Sequence, residues 1–170
     1  MDEDEFVAYY VSRGDRLRRT AFLLCGDWHL AEDLTQITFV KLYQRWQRIE
    51  RHDVMDQYAR RVLLRTFLDQ RRLPRRREVA TEPDSSTLDS RVHHDPVPDD
   101  RLVLREALLR LSPQHRAVLV LRFWEDLPVE QVAEILACST GTVKSQTSRG
   151  LARLREVLDD TTPVAGKVRR

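Results

Sequence analysis

Glycine is scarce in this 170-residue chain, which has five, and cysteine and methionine number two each. So few glycines leave no Gly-rich loop to cradle a phosphate. The thiols, Cys25 and Cys138, lie in different halves with no second thiol or nearby histidine at metal-ligand spacing. That excludes a disulfide framework and a zinc site, and predicts reduced, buried thiols. Apolar runs are short: Ala117 to Leu121 is among the longest, far below a bilayer span. The opening MDEDEF is acidic where a signal peptide is basic. The expectation is a soluble, cytoplasmic protein with no membrane insertion, no metal and no cofactor. His93 and His94 sit in a stretch with nothing to bury them, so an enzyme is poorly supported.

What the chain has in quantity is charge, a third of its residues, almost balanced at a net +2 but unevenly distributed. Helical periodicity dominates the first seventy residues, with no alternating strand pattern. Phe6, Tyr9, Tyr10, Leu17, Ala21 and Leu24 share a helical spacing, with a break expected at Gly14-Asp15 and a stop at Gly26. Asp27 is placed to cap WHLAEDLTQITFVKLYQRW, whose Leu34, Ile37, Phe39, Tyr43 and Trp46 form a broad apolar face. That spacing assigns Tyr43 and Trp46 to the core rather than to stacking on bases. A third helix, QYARRVLLRTFLDQRR, carries Ala59, Val62, Leu63, Thr66 and Phe67 on one stripe and most of its arginines off it. Eight arginines fall between Arg60 and Arg77.

Composition then changes. Glu82 to Asp100 holds six acids, one arginine and three prolines with almost nothing to bury, so residues 73–100 read as a flexible linker. A second helical unit spans residues 101–158, followed by a tail at 159–170. Within it Ser112 and Pro113 form a cap and first helical position. The stretch VEQVAEILACSTGTVKSQTSRG then has the makings of a helix-turn-helix. Val132, Leu136 and Val143 can close a small core, Ala133 permits a close crossing, and Ser139 can cap the second helix. Thr140, Gly141 and Thr142 form its first turn, at the positive end of the helix dipole. Lys144, Ser145, Gln146, Ser148 and Arg149 project from faces other than that of Val143, suited to phosphates and base edges in a major groove. Two local features depart from the common motif: Ala137 stands where glycine is usual, and Pro128 where a serine cap is usual.

Taken together, Phe6 to Leu158 resembles the extracytoplasmic-function (ECF) group of the sigma-70 family of RNA polymerase sigma factors. AEDLTQITFVKLYQRW is similar to the family's polymerase-binding helix, YARRVLLRTFLDQRR to its promoter-opening helix, and the span from Arg101 to Glu156 to the domain that reads the upstream element. The resemblance implies an all-α fold: two small helical domains, sigma region 2 over residues 1–72 and sigma region 4 over 101–158, joined by the linker. It implies core RNA polymerase as partner, docked through the largest subunit's coiled coil on Glu32, Asp33 and Gln36. It implies promoter DNA as the second partner. The duplex upstream element would meet Thr140 to Arg149, and the minus-ten element with its non-template single strand would meet Arg60, Arg61, Arg65, Arg71 and Arg72. An anti-sigma factor is a further partner the family allows. Arg65 stands where the family often has asparagine, which leaves the captured base open. Since each unit has only about sixty to seventy residues, near the lower limit for one core, a partner is expected to set their relative position. The competing reading is a free-standing helix-turn-helix regulator with an N-terminal helical sensor domain.

Overall fold

The computed structural model describes residues 3–48, 52–72 and 99–161, all of it helices and the turns between them. The proposed linker and tail lie almost wholly outside the described residues. The N-terminal unit comprises α1 (Glu3–Cys25), α2 (Trp28–Tyr43), a short 3-10 turn at Trp46–Arg48, and α3 (His52–Arg72). The C-terminal unit comprises α4 (Asp99–Leu109), α5 (Pro113–Leu119) continuing as a π-helical segment (Val120–Trp124), α6 (Val129–Leu136) and α7 (Thr140–Thr161).

The break expected at Gly14-Asp15 is absent, and α1 runs unbroken through it. A mid-helix glycine costs about 1 kcal/mol against alanine. One continuous stripe of Tyr9, Leu17, Thr20, Ala21 and Leu24, buried on α2 and α3, outweighs that cost. The helix stops at Gly26, whose φ of +77° is open to glycine and strained for other residues. Glycine is needed there a second time, because an added Cβ would lie 2.5 Å from the Leu109 side chain of α4. Asp27 then caps α2, its carboxylate accepting from the Leu30 amide at 2.8 Å.

Aromatic packing closes the N-terminal unit. Trp46 is buried, with Phe6 edge-on at 5.1 Å and Tyr9 at 5.5 Å between ring centroids. Tyr43 differs from its expected place: α2 ends there, and its ring lies half exposed against the edge of Phe6. Trp46 reaches the core because the chain has turned into the 3-10 segment, which rotates it off the helical spacing. Beside this cluster the Tyr9 hydroxyl donates to Asp56 at 2.9 Å. Burial, and then the Asp56 charge, hold the phenol well above its ordinary range. An unfolded chain ionises it near pH 10, roughly, whereas the native chain keeps it neutral. Stability is therefore unaffected below that pH and falls as pH rises beyond it. In an alkaline spectrophotometric titration, one tyrosine is expected to ionise only together with loss of helical circular dichroism, and Tyr9→Phe is expected to remove that step.

The two units are not held apart. A single buried cluster runs from Leu17, Leu24, Leu63 and Phe67 into Val118, Leu121, Val132 and Val143. Helix α3 packs on α5 and α6, and α1 packs on α4, α5 and the π segment. Relative position, expected from a partner, is here set by the chain itself. The buried guanidinium of Arg116 (5 % exposed) shows how. It donates to the carbonyls of Leu108 (2.8 Å), Leu109 (2.9 Å) and Leu111 (3.0 Å) at the end of α4, and to that of Leu24 at the end of α1. Helix C-terminal carbonyls have no partner within their own helix, and one fork of five donors satisfies those of two helices.

Candidate nucleic-acid interface

The helix-turn-helix is built as its residues dictate. Val132, Ala133 and Val143 are buried between α6 and α7, with Leu136 at the margin. Ala137 adopts a left-handed conformation (φ 54°), so the turn keeps the geometry glycine would supply and bears the strain of a Cβ. Pro128 precedes α6 without a side-chain cap. Ser139 caps α7, its hydroxyl accepting from the Thr142 amide at 3.0 Å and lying 2.8 Å from the Thr142 hydroxyl. Gly150 lets α7 lie against α5, where an added Cβ would be 3.3 Å from Leu119.

On α7, Thr140, Gly141, Lys144, Ser145, Ser148 and Arg149 are exposed on the outer side, while Thr142 and Gln146 are half-buried. Ser145 returns its hydroxyl to the Thr142 carbonyl at 3.1 Å, a local bond that a base edge would have to displace. Sequence reasoning missed two cations that join this face. Arg122 and Arg155 line, with Lys144, Thr147 and Ser148, a cleft of about 390 Å³ between α7 and the start of α6. Three cations and two hydroxyl-bearing residues around one open cleft match the chemistry of a backbone phosphate. Arg155 was legible: it follows Lys144 by eleven residues and Ser148 by seven, spacings that return to the same helical face. Arg122 was not, because it arrives from another helix and is steadied by donating to the Leu127 carbonyl.

The arginines of α3 do not form one surface. Arg65 and Arg71 are exposed, the latter with its guanidinium 5.7 Å from the centre of the Phe67 ring. Arg61 is half-buried, and the side chain of Arg72 lies outside the described residues, as do Arg75, Arg76 and Arg77. Arg60 is turned inward, and its Nε donates to Glu125 of the C-terminal unit at 2.9 Å. Glu125, 1 % exposed at its side chain, also accepts from Arg16 (3.2 Å from Nε) and from the Thr20 hydroxyl (2.5 Å). No spacing in the sequence marks Glu125 as a partner of α1 or α3. The left-handed Asp126 (φ 52°) that follows makes that corner and aims the carboxylate back at α1 and α3.

On α2, Asp33 and Gln36 are exposed one turn apart on the same face. Glu32 is half-buried, and Arg18 of α1 reaches it at 3.4 Å. The exposed face continues through Val40 (57 % exposed) and the half-exposed Tyr43, apolar positions that an isolated chain has no reason to leave in water.

Two family models match this chain: Sigma-70 region 2 over residues 9–77 and Sigma-70 region 4 over residues 107–156. The RNA polymerase sigma-E factor of Streptomyces avermitilis is 42 % identical over 157 residues, covering 91 % of this chain and 86 % of that protein. The ECF RNA polymerase sigma factor SigL of Mycobacterium tuberculosis is 33 % identical over 162 residues, covering 90 % and 88 %. Among solved structures, the sigma factor RpoE of Bartonella quintana, in complex with the anti-sigma factor NepR, superposes with a TM-score of 0.70 at 25 % identity, over 91 % of this chain and 97 % of that one. CnrH, in complex with the cytosolic domain of CnrY, shares the fold with a TM-score of 0.66 over 95 % and 92 %. With two helical units in that order, a capped helix-turn-helix in the second and relatives that match over most of their length, the chain belongs to the ECF group of the sigma-70 family of RNA polymerase sigma factors.

Proposed function

We propose that this sigma factor works in the cytoplasm as a non-catalytic specificity subunit, with residues 1–72 serving polymerase docking and strand opening and residues 101–158 serving upstream duplex recognition. The observation that carries the division is the outer face of α7, where Thr140, Gly141, Lys144, Ser145, Ser148 and Arg149 stand exposed without an acid among them. Arg122 and Arg155 extend this face along the phosphate backbone, and Thr142 and Gln146 support it from its edge. The exposed stripe of Asp33, Gln36, Val40 and Tyr43 is the polymerase-docking surface, with Glu32 beside it. A mixed face of this kind suits a coiled coil, whose exposed flank alternates polar and apolar positions. Arg61, Arg65, Arg71 and Arg72 follow the phosphates of the opened strand, and Arg60, paired with Glu125 in the closed arrangement, is the fifth arginine of that set. Likeness to the Bartonella factor, solved with its anti-sigma factor, supports an anti-sigma partner for this chain as well.

The reading is tested with the full chain added to core RNA polymerase in run-off transcription. Initiation at defined start sites supports it, and tight duplex binding with no capture of polymerase would favour the free-standing regulator instead. Combined Asp33→Ala and Gln36→Ala substitution is expected to weaken polymerase binding about tenfold, or roughly 1.4 kcal/mol, with helical circular dichroism unchanged. Both side chains are exposed, so a loss of fold in that variant would count against the assignment.

A further inference from the structure

The junction between the two units is built around ions. Glu125 is a carboxylate shielded from water, held by Arg60 of α3, by Arg16 and Thr20 of α1, and flanked by Trp124, whose indole Nε1 donates to the Thr20 hydroxyl at 3.1 Å. A second polar link, Gln57 to Glu134 at 2.6 Å, ties α3 to α6. Arg13 and Asp56, 3.3 Å apart, border the same junction.

We propose that Glu125 is an internal latch: its carboxylate occupies Arg60 and Arg16 where a nucleic-acid phosphate would otherwise bind, and the two units must part there before α3 engages a promoter. The proposal rests on the reading of α3 as a strand-opening element. Three features carry it. First, a carboxylate and a phosphate oxygen are interchangeable acceptors for a guanidinium, so whichever anion is present claims Arg60. Second, closure affects the two readers differently: the outer face of α7 stays exposed, whereas Arg60 is covered. Third, a buried ion pair is nearly balanced between Coulombic gain and lost hydration, so the contact specifies one closed arrangement and remains open to competition. Arg116 is arranged for the same transition, since three of its four carbonyl partners belong to its own unit and only the Leu24 carbonyl is given up on parting. The shared apolar surface is exposed on opening, so a partner that covers it, such as polymerase, favours the open state further.

Glu125→Gln keeps the shape and removes the charge that Arg16 and Arg60 share. In small-angle scattering of the free full chain, the wild type is expected near the radius of gyration of one compact body of this length, about 15 Å. Glu125→Gln is expected to expand measurably at unchanged helical content and to bind a forked promoter oligonucleotide about tenfold more tightly. Arg60→Ala added to Glu125→Gln is expected to abolish that increase in affinity. A Glu125→Gln chain that is folded and as compact as the wild type would overturn the latch. Expansion with unchanged affinity would show that Glu125 closes the two units without masking a nucleic-acid site, and would count against α3 as the strand-opening helix.

A second arm does not depend on the stability of that variant. Gln57→Cys and Glu134→Cys, with Cys138→Ser, are bridged by a short bismaleimide, and the same protein capped with N-ethylmaleimide serves as control. The bridged chain is expected to lose forked-oligonucleotide binding at least tenfold relative to the capped one. Equal binding by the two would overturn the requirement for opening.

Discussion

Arg116→Ala is expected to lower the unfolding free energy of the whole chain by about 4 kcal/mol, the range typical when one side of a buried charged network is removed. The guanidinium holds four carbonyls, three at the end of α4 and one at the end of α1. Alanine leaves them facing a cavity with no donor. Hydrogen bonds from a charged group are worth roughly 1.5–3 kcal/mol each, and the desolvation cost of the cation, which burial also expresses by lowering the arginine pKa, offsets part of the sum. For a chain of this length the loss corresponds to a fall in Tm of about 10 °C. Arg116→Lys keeps a charge but lacks the planar fork, so it reaches fewer of the carbonyls and should fall between the two. Urea unfolding followed by circular dichroism measures both. A change below about 1 kcal/mol for alanine would show that water replaces the guanidinium at these helix ends.

Combined Lys144→Ala and Arg149→Ala substitution is expected to reduce initiation from upstream-element promoters about 100-fold at moderate salt, with little change in core polymerase binding. Both side chains are exposed on α7, so their removal leaves no cavity and no orphaned partner, and stability should be nearly unchanged. Each phosphate that the protein no longer neutralises means roughly 0.9 fewer counterions released, so the log–log salt dependence should flatten by nearly two units. Arg155→Ala is expected to flatten it by a further unit if the cleft shared with Lys144 and Arg122 holds a phosphate. A fall in activity with an unaltered salt slope would instead point to impaired base readout. Run-off assays across a salt series separate the two.

Residues that cap and punctuate helices were readable because their work is local. Asp27 and Ser139 each bond an amide three residues ahead, Ser112 caps the helix that Pro113 opens, and Gly26 ends α1. Gly14 misled for the complementary reason: its local cost is small, and the buried stripe of α1 that overrides it is assembled against α2 and α3. Tyr43 and Trp46 look alike in a helical pattern, yet a one-turn change to 3-10 geometry buries one and leaves the other half in water. Asp33 and Gln36 were singled out by the family resemblance, whereas the exposure of Val40 beside them shows only once the neighbouring helices are in place.

Periodicity, caps, the acid-free stretch of α7 and the order of three motifs therefore determined the all-α class, the helix-turn-helix and the family from the sequence by itself. Periodicity, caps and the acid-free stretch are properties of residues within about one or two helical turns of one another, where spacing alone decides which side chains meet, and motif order is read directly along the chain. Only the tertiary structure decided that the two units share one core, that Arg116 serves two helices, and that Arg60 faces a carboxylate. Glu125 lies 65 residues beyond Arg60 and 109 beyond Arg16, separations over which no periodic pattern operates. On charge alone, any arginine or lysine of the N-terminal unit could have claimed that carboxylate. The packing of α1, α3 and the π-helical corner selects Arg16 and Arg60, because burial admits only charges brought within hydrogen-bonding reach.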